Sequence, residues 1–487
     1  MPAEPREAAA CILVRGEAHP EVLLAKRNPT LRFMAGHHVF PGGRIDRAEE
    51  VRCVINAPNE EYARAVQAAV REVFEETGLL CVRGDLPSAE LLRGARHDLL
   101  DEKLPFSNFL AQHGLTVDAN DFEPAGDWLT PTFVPIRFST RYFLHRLNAS
   151  QHEELIEGEI VALDWLTPAE ARRQWHAGQL KIPTPVAYTL RQLAAADLST
   201  ATGYLRRGTE RAPGEHNWFE LRRGITLVPV RSATVPPATH TNCIIVGEEL
   251  LYVIDPGACD EGELQHLCKQ IDHLLELGGR VEAVLLSHSH RDHTDAAEAM
   301  RDRYGAPLLA HPATEQQLSF KVDRYLQDGD VLESGPNGQW QLECVHTPGH
   351  DPGHLCFLEK STRTLLAGDM VANPGTILVS RLFAGDMGQF VHSLQRLLEL
   401  DCTLIVPSHG QAASKPREFV QKHLDHRLWR EEKIKQAHAA GADDFETLLA
   451  RAYDDAKPEA LAWARHSLDA HLAKLGIDMP VNLRVAL

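Results

Sequence analysis

The stretch Val281-Glu-Ala-Val-Leu-Leu-Ser287-His288-Ser289-His290-Arg291-Asp292-His293 decides how the second half of this chain is read. Its first part is a short apolar run, the pattern of a buried strand. That run delivers the chain into three histidines and one aspartate between positions 288 and 293. In an extended or looping backbone His288 and His290 point to the same side. Asp292 and His293 then fall at the start of the next helix. Neutral imidazole and carboxylate are the donors that zinc-like ions take. Three further polar residues each follow an apolar run: His350 in HTPGHDPGH, Asp369 in LLAGDM and His409 in IVPSHG. The chain has 26 histidines, so one chance pair would mean little; an ordered set at four strand ends means more.

Working outward, the segments ITLVPV, NCIIVG, LLYVID, VEAVLLS, TLLAG and TLIVPS read as strands from Gly224 onward. They alternate with helical patterns, which implies an α/β architecture of layered sheets. Past Lys415-Pro416 the pattern turns helical, with Leu461, Ala464, Leu468, Leu472 and Leu475 on one face. Upstream, residues 205–222 are polar and charged and contain Pro213-Gly214. The organisation expected is therefore a first domain over 1–204, a linker over 205–222, a second domain over 223–415 and a helical subdomain over 416–487.

A chain of 487 residues is too long for one ordinary core, in keeping with that division. The formal charge of −18 argues against a general electrostatic footprint for nucleic acid. Nine scattered cysteines without a C-x-x-C pair suggest reduced thiols and a cytoplasmic location. No signal peptide, membrane span or lipidation signal is expected.

The 224–415 pattern resembles the metallo-β-lactamase superfamily, an αββα sandwich, with its usual segments in order. The resemblance implies that His288, His290 and His350 bind one metal ion, that Asp292, His293 and His409 bind a second, and that Asp369 bridges them. The ions expected are two Zn²⁺, or Fe or Mn. Asp255, in YVIDPG, would orient ligands, and Asp292 would orient the attacking water. Two ions a few ångströms apart activate water and polarise the scissile oxygen. HTPGHDPGH is similar to the glyoxalase II and lactamase-like branch, and the tail to that branch's winged-helix-like extension. His354 is read as structural in its loop, and His346 and His311 as ordinary.

In the first half, AAACILVRG and EVLLAKR read as strands, as do Phe133–Ile136, Arg141–Leu147 and Ile160–Leu166. Tyr62–Thr77 reads as a helix stopped by Gly78, and Thr167-Pro168 as another helix start. On the first helix Glu72 and Glu76 are four apart and share a face, with Glu75 beside them. Crowded carboxylates repel, which suggests a hard cation, Mg²⁺ or Mn²⁺, between them. Arg71-Glu-Val-Phe-Glu-Glu-Thr-Gly78, with Pro41-Gly42-Gly43 and Glu49 upstream, resembles the box of Nudix hydrolases, an α/β/α sandwich. Residues 50–70 separate Glu49 from Arg71, a longer spacing than the family's usual one, so this insertion is expected to loop out before the helix.

LLAKRN, then Arg32, Gly36 and Phe40-Pro41-Gly42-Gly43, resembles the signature of coenzyme A diphosphatases of the peroxisomal type. The resemblance implies that Arg27 and Arg32 pair with substrate phosphates, because guanidinium matches phosphate oxygens bidentately. Gly42 and Gly43 would lie against the substrate, and Glu72, Glu75 and Glu76 would hold the metal. Glu75, Glu157 and Glu159 are candidates for the general base, and Arg71 would brace the carboxylates.

Together the two halves read as a bifunctional hydrolase. The first would act on a nucleoside diphosphate derivative, CoA or acyl-CoA, and the second on a thioester or related ester. The alternatives are a C-terminal RNA endonuclease, and a Nudix domain that senses a ligand instead of cleaving it. The partners expected are small-molecule substrates, with no membrane and with room for a homodimer.

Overall fold

In this computed structural model the described residues are 4–17, 19–31, 34–130, 137–147, 151–156, 158–207, 218–276, 278–335 and 338–480. Arg32, Glu157, the expected strand at 133–136 and the Pro213-Gly214 pair lie outside them. The chain divides into two compact units, Met1–Arg223 and Gly224–Leu487.

In the first unit the central strand Arg6–Arg15 carries seven consecutive buried residues, Ala8 to Val14. It runs parallel to Phe138–Arg146 and antiparallel to Glu21–Arg27 and to Gly42–Arg44. The register sets Ala10 opposite Gly42 and Ala9 opposite Gly43. Contact there is too close for a side chain, since a Cβ on Gly42 would meet the Ala10 Cα at 2.6 Å. The helix Glu60–Thr77 packs on this sheet through Val66, Val70, Val73 and Phe74, which are spaced three and four apart. Asn59 caps its start, accepting from the Tyr62 N–H, and Gly78 ends it at φ 78°. The expected insertion loop is thus only half a loop. Residues 60–70 extend the helix at its N-terminus, where Ala63, Ala65, Val66, Ala68, Ala69 and Val70 are buried and make helix the favoured state.

In the second unit the strands Ile225–Arg231, His240–Val246, Leu250–Ile254, Arg280–Leu285, Leu308–Ala310 and Arg324–Tyr325 neighbour one another in that order. A second sheet runs Val331–Ser334, Trp340–His346, Leu355–Glu359, Thr364–Leu366, Leu404–Val406. Strands buried along their whole length, such as Thr364–Leu366 and Leu404–Val406, fit sheets covered on both faces. The helix Met387–Leu397 packs on the second sheet's core with Phe390 and Leu394. The tail forms the helices Pro416–Ala439, Phe445–Ala452 and Leu461–Leu475 around Leu448, Leu468 and Leu472. No helix among the described residues is long and apolar enough to cross a membrane.

Candidate metal centres

Each candidate donor of the second unit sits just past a strand. His288 and His290 follow Arg280–Leu285, and Asp292 and His293 lie in the short helical turn Arg291–Thr294. His350 follows Trp340–His346, Asp369 follows Thr364–Leu366 and His409 follows Leu404–Val406. The folded chain draws all seven together. His290 Nδ1 lies 3.1 Å from His288 Nε2 and 2.9 Å from His350 Nε2. His409 Nε2 lies 3.4 Å from Asp292 Oδ2 and 3.4 Å from Asp369 Oδ1. His293 Nε2 is 3.7 Å from Asp292 Oδ2 and 3.6 Å from Asp369 Oδ1, while Asp369 Oδ2 reaches to 3.5 Å from His350 Nε2. Donors on a tetrahedral ion with bonds of about 2.0–2.1 Å stand roughly 3.3 Å apart, so the spacings suit two ions. The buried His293 Nε2 and Asp369 Oδ1 have no hydrogen-bond partner, as fits atoms that face a cation.

The far nitrogen of each of four rings is held in place. His288 Nδ1 meets Ser287 Oγ at 2.9 Å, His293 Nδ1 meets Asp255 Oδ2 at 3.0 Å, His350 Nδ1 meets the Leu378 carbonyl at 2.7 Å and His409 Nδ1 meets the His240 carbonyl at 3.0 Å. Such contacts fix ring orientation. Asp255 also accepts from the Ser287 N–H at 2.7 Å, and it adopts φ 54° to do so. Protonation divides the site. Burial, then the neighbouring imidazoles, hold His288 well below its usual range, and burial and His350 lower His290 to about 4. Burial would also lower His293 and His409, but the surrounding carboxylates outweigh it and push them up to about 9 and about 11. Two neutral rings thus face a histidine–aspartate group whose positive partner is a proton or a metal ion.

In the first unit a cleft of about 1460 Å³ is lined by Arg27, Gly42, Gly43, Glu72, Glu75 and Glu159, among others. Arg71 stands between carboxylates: Nη2 donates to Glu72 at 2.8 Å, Nη1 to Glu75 at 3.0 Å, and Nε lies 3.8 Å from Glu49. Glu49 therefore stays at the site despite the insertion. Glu76 accepts from the Gly42 N–H at 3.2 Å, and a Cβ on Gly43 would meet the Glu72 carboxylate at 2.3 Å. Arg27 is paired with Glu159 at 2.6 Å. Burial, opposed by Arg71, raises Glu72 to about 7, and burial with Glu72 and Glu159 raises Glu76 well above its usual range. Among the described residues, the trios whose donor atoms lie within 4.8 Å of one another are all in the second unit.

Comparison with known proteins bears on both units. The sequence profile of the Metallo-beta-lactamase superfamily matches residues 236–409, and that of the NUDT19 Nudix domain matches residues 52–193. The chain joins a Nudix domain to a metallo-β-lactamase domain. Both resemblances read from the sequence stand, and both families are hydrolases. The Nudix match begins inside the insertion, so most of that segment belongs to the matched domain. The chain is 26% identical over 287 residues to the putative nudix hydrolase 7 of Caenorhabditis elegans, covering 54% of this chain and 91% of that protein. It is 28% identical over 212 residues to the lactamase-like protein notP of an Aspergillus species, covering 41% of this chain and 61% of that one. It is 31% identical over 162 residues to a hydroxyacylglutathione hydrolase of Bdellovibrio bacteriovorus, covering 33% and 59%. The lactamase fold implies a dinuclear metal centre, and the Nudix domain implies a divalent ion.

One supporting residue of the lactamase-fold domain, Asp351, was not singled out by sequence reasoning. Asp351 is buried and accepts from the Ser289 N–H at 3.3 Å, the Ser289 hydroxyl and the Gly353 N–H at 2.7 Å, tying the His350 loop to the His288–His290 loop. His354, read as structural, accepts from the Asp369 N–H at 2.9 Å and so sets the position of Asp369. Its signal was the third histidine of HTPGHDPGH. His311 and His346 stack on one another at 4.3 Å.

Gly257 gives a direct test of this packing. A Cβ there would fall 1.6 Å from the Asp292 carbonyl oxygen. Gly257→Ala is expected to push Asp292 and His293 out of place and lower the bound metal per chain, as read by elemental analysis. In the Nudix domain the raised Glu72 sets a pH dependence. A carboxyl must be ionised to take a cation, so Mg²⁺ affinity is expected to weaken as the pH falls through about 7. Mg²⁺ titration across that range measures it.

Proposed function

We propose that this chain is a bifunctional metal-dependent hydrolase acting on acyl-CoA-like molecules. The Nudix domain would split the diphosphate of CoA or acyl-CoA, and the lactamase-fold domain would cleave a thioester. The observation that carries the reading is the convergence of His288, His290, Asp292, His293, His350, Asp369 and His409 at four strand ends, in a chain that also carries a buried carboxylate helix. The likeness to a hydroxyacylglutathione hydrolase supports the thioester part. The likeness to a nudix hydrolase supports the diphosphate part.

In the lactamase-fold domain His288, His290 and His350 would hold one ion, Asp292, His293 and His409 the other, and Asp369 would contact both. Zn²⁺ suits these donors, with Fe or Mn as alternatives. When bound, the ions supply water of lowered pKa and polarise the scissile carbonyl. Asp292 orients the attacking water, and Asp255 keeps His293 in the correct tautomer. In the Nudix domain Glu72, Glu75 and Glu76 would hold Mg²⁺ or Mn²⁺, with Arg71 bracing Glu72 and Glu75. Glu159 faces this group and is the preferred general base among the described candidates. Arg27, held by Glu159, is placed to exchange that partner for a substrate phosphate. The substrates are small molecules, and nine free cysteines support a cytoplasmic location.

The test is incubation of the full chain, with Mg²⁺ and Zn²⁺, against CoA esters and nucleotides, with products identified by mass. Release of 3′,5′-ADP and of free acid supports the proposal. Acyl-CoA left intact at both bonds rejects it.

A further inference from the structure

Two large apolar side chains stand in the open beside the candidate metal centre. Leu382 is 51% exposed and Phe383 is 42% exposed. Single exposed hydrophobics are common and mean little by themselves. These two differ in where they are and how firmly they are held. The Phe383 ring lies 5.7 Å from the His290 ring, edge to face. Both residues sit on the tight turn Arg381–Phe383, which is closed by Ala384 at φ 59°.

The turn is pinned on several sides. Ser380 Oγ hydrogen-bonds His466 Nδ1 at 2.8 Å and accepts from the Leu382 N–H at 3.2 Å. The Ser380 carbonyl accepts from the Gly385 N–H at 2.8 Å, and the Gly349 carbonyl accepts from the Asp386 N–H at 2.7 Å. Arg381 donates to Asp469 at 3.2 Å, which turns the only charge of the turn back toward the helix Leu461–Leu475. His466 and Asp469 are themselves buried on that helix. The C-terminal subdomain thus commits polar contacts to holding an apolar pair half in solvent. About half of each side chain stays open beside His290, where it can meet a molecule that arrives at the centre.

We propose that Leu382 and Phe383 form the wall of a subsite for the apolar acyl chain of a thioester, with the scissile carbonyl at the His288–His290–His350 side of the centre. This rests on the thioester reading above and narrows it: acids with an alkyl or aryl chain are preferred to acetyl or hydroxyacyl groups. The wall is rigid before substrate arrives, which lowers the ordering cost of binding. Its apolar surface favours each added methylene.

The experiment uses the full-length, Zn²⁺-loaded protein and acetyl, butyryl, hexanoyl and octanoyl thioesters of one thiol. For the wild type, kcat/KM is expected to rise along the series. In the double variant Leu382→Ser, Phe383→Ser the octanoyl-to-acetyl preference is expected to fall by roughly tenfold or more, with the loss carried by KM. Both residues are about half exposed and Phe383 touches the His290 ring, so metal content and thermal melting check that the centre and the fold survive the change. Calorimetry with a non-hydrolysable octyl thioether gives a second readout: weaker binding by the variant, with a smaller negative heat-capacity change. A flat series in the wild type, or an unchanged preference in the variant, overturns the proposal while acetyl thioester is still cleaved. Cleavage of no thioester, with or without cleavage of RNA, overturns the thioester reading itself and this proposal with it.

Discussion

Replacing Asp369 with alanine is expected to abolish hydrolysis by the lactamase-fold domain and to lower its metal content, while Mg²⁺-dependent diphosphate cleavage continues. Asp369 touches both halves of the donor set: one oxygen lies 3.4 Å from His409 and 3.6 Å from His293, and the other 3.5 Å from His350. Its carboxyl is held well below the usual range, because His409 and His293 outweigh the burial that would raise it. The residue is therefore an anion between two groups of donors, and alanine removes charge from both. Loss of a supporting hydrogen bond at a metal site costs about 10–100-fold in affinity or activity. Loss of a shared donor should exceed that range. The paired measurement is metal per chain by elemental analysis and thioester turnover in the same preparation. Two ions per chain with undiminished turnover would remove Asp369 from the centre. His354→Ala should fall in the smaller range, since His354 reaches the site only through the Asp369 N–H.

The donors of this centre were legible because four of them are near neighbours in sequence and the rest end apolar runs. Strand ends are where an α/β layer gathers its chemistry, so a pattern of runs closed by His or Asp carries positional information. Of what supports the donors, Asp255 and His354 drew notice in the sequence, and the rest was not legible. Asp351 reaches Ser289 from 62 positions away, and the partnership depends on how two loops close. Gly257 carries no signal until the Asp292 backbone is seen against it. Leu382 and Phe383 carry no signal in the sequence, and only the pinned turn shows that they stand partly open beside His290. In the Nudix domain the carboxylate helix was legible from spacing and from its stop at Gly78. The place of Glu49 was not, because sequence distance is a poor guide once part of an insertion becomes helix. Residues 60–70 take up part of the insertion at the short rise of a helix, and Glu49 remains beside Arg71.

Glu76→Gln should then silence the Nudix domain without unfolding it. Burial, Glu72 and Glu159 push the Glu76 carboxyl well above its usual range, which shifts its balance toward the neutral form in the absence of a cation. Glutamine copies that neutral form in shape, and its carbonyl can still accept from the Gly42 N–H, the bond Glu76 makes at 3.2 Å. Thermal melting of the metal-free variant should therefore stay close to that of the wild type. The difference appears when Mg²⁺ is added. An ion that binds the folded state raises the melting temperature of the wild type by mass action, and the variant should lose that rise. Charge neutralisation by a metal ion contributes several kcal/mol in a phosphoryl transition state, so diphosphate turnover should drop on the order of a hundredfold or more. Thioester hydrolysis in the other domain should be unchanged. The two readouts also separate catalysis from sensing. A domain that only senses a ligand would show the Mg²⁺-dependent rise in melting temperature in the wild type, with no diphosphate turnover to lose. Turnover that survives Glu76→Gln would instead move the metal away from this helix.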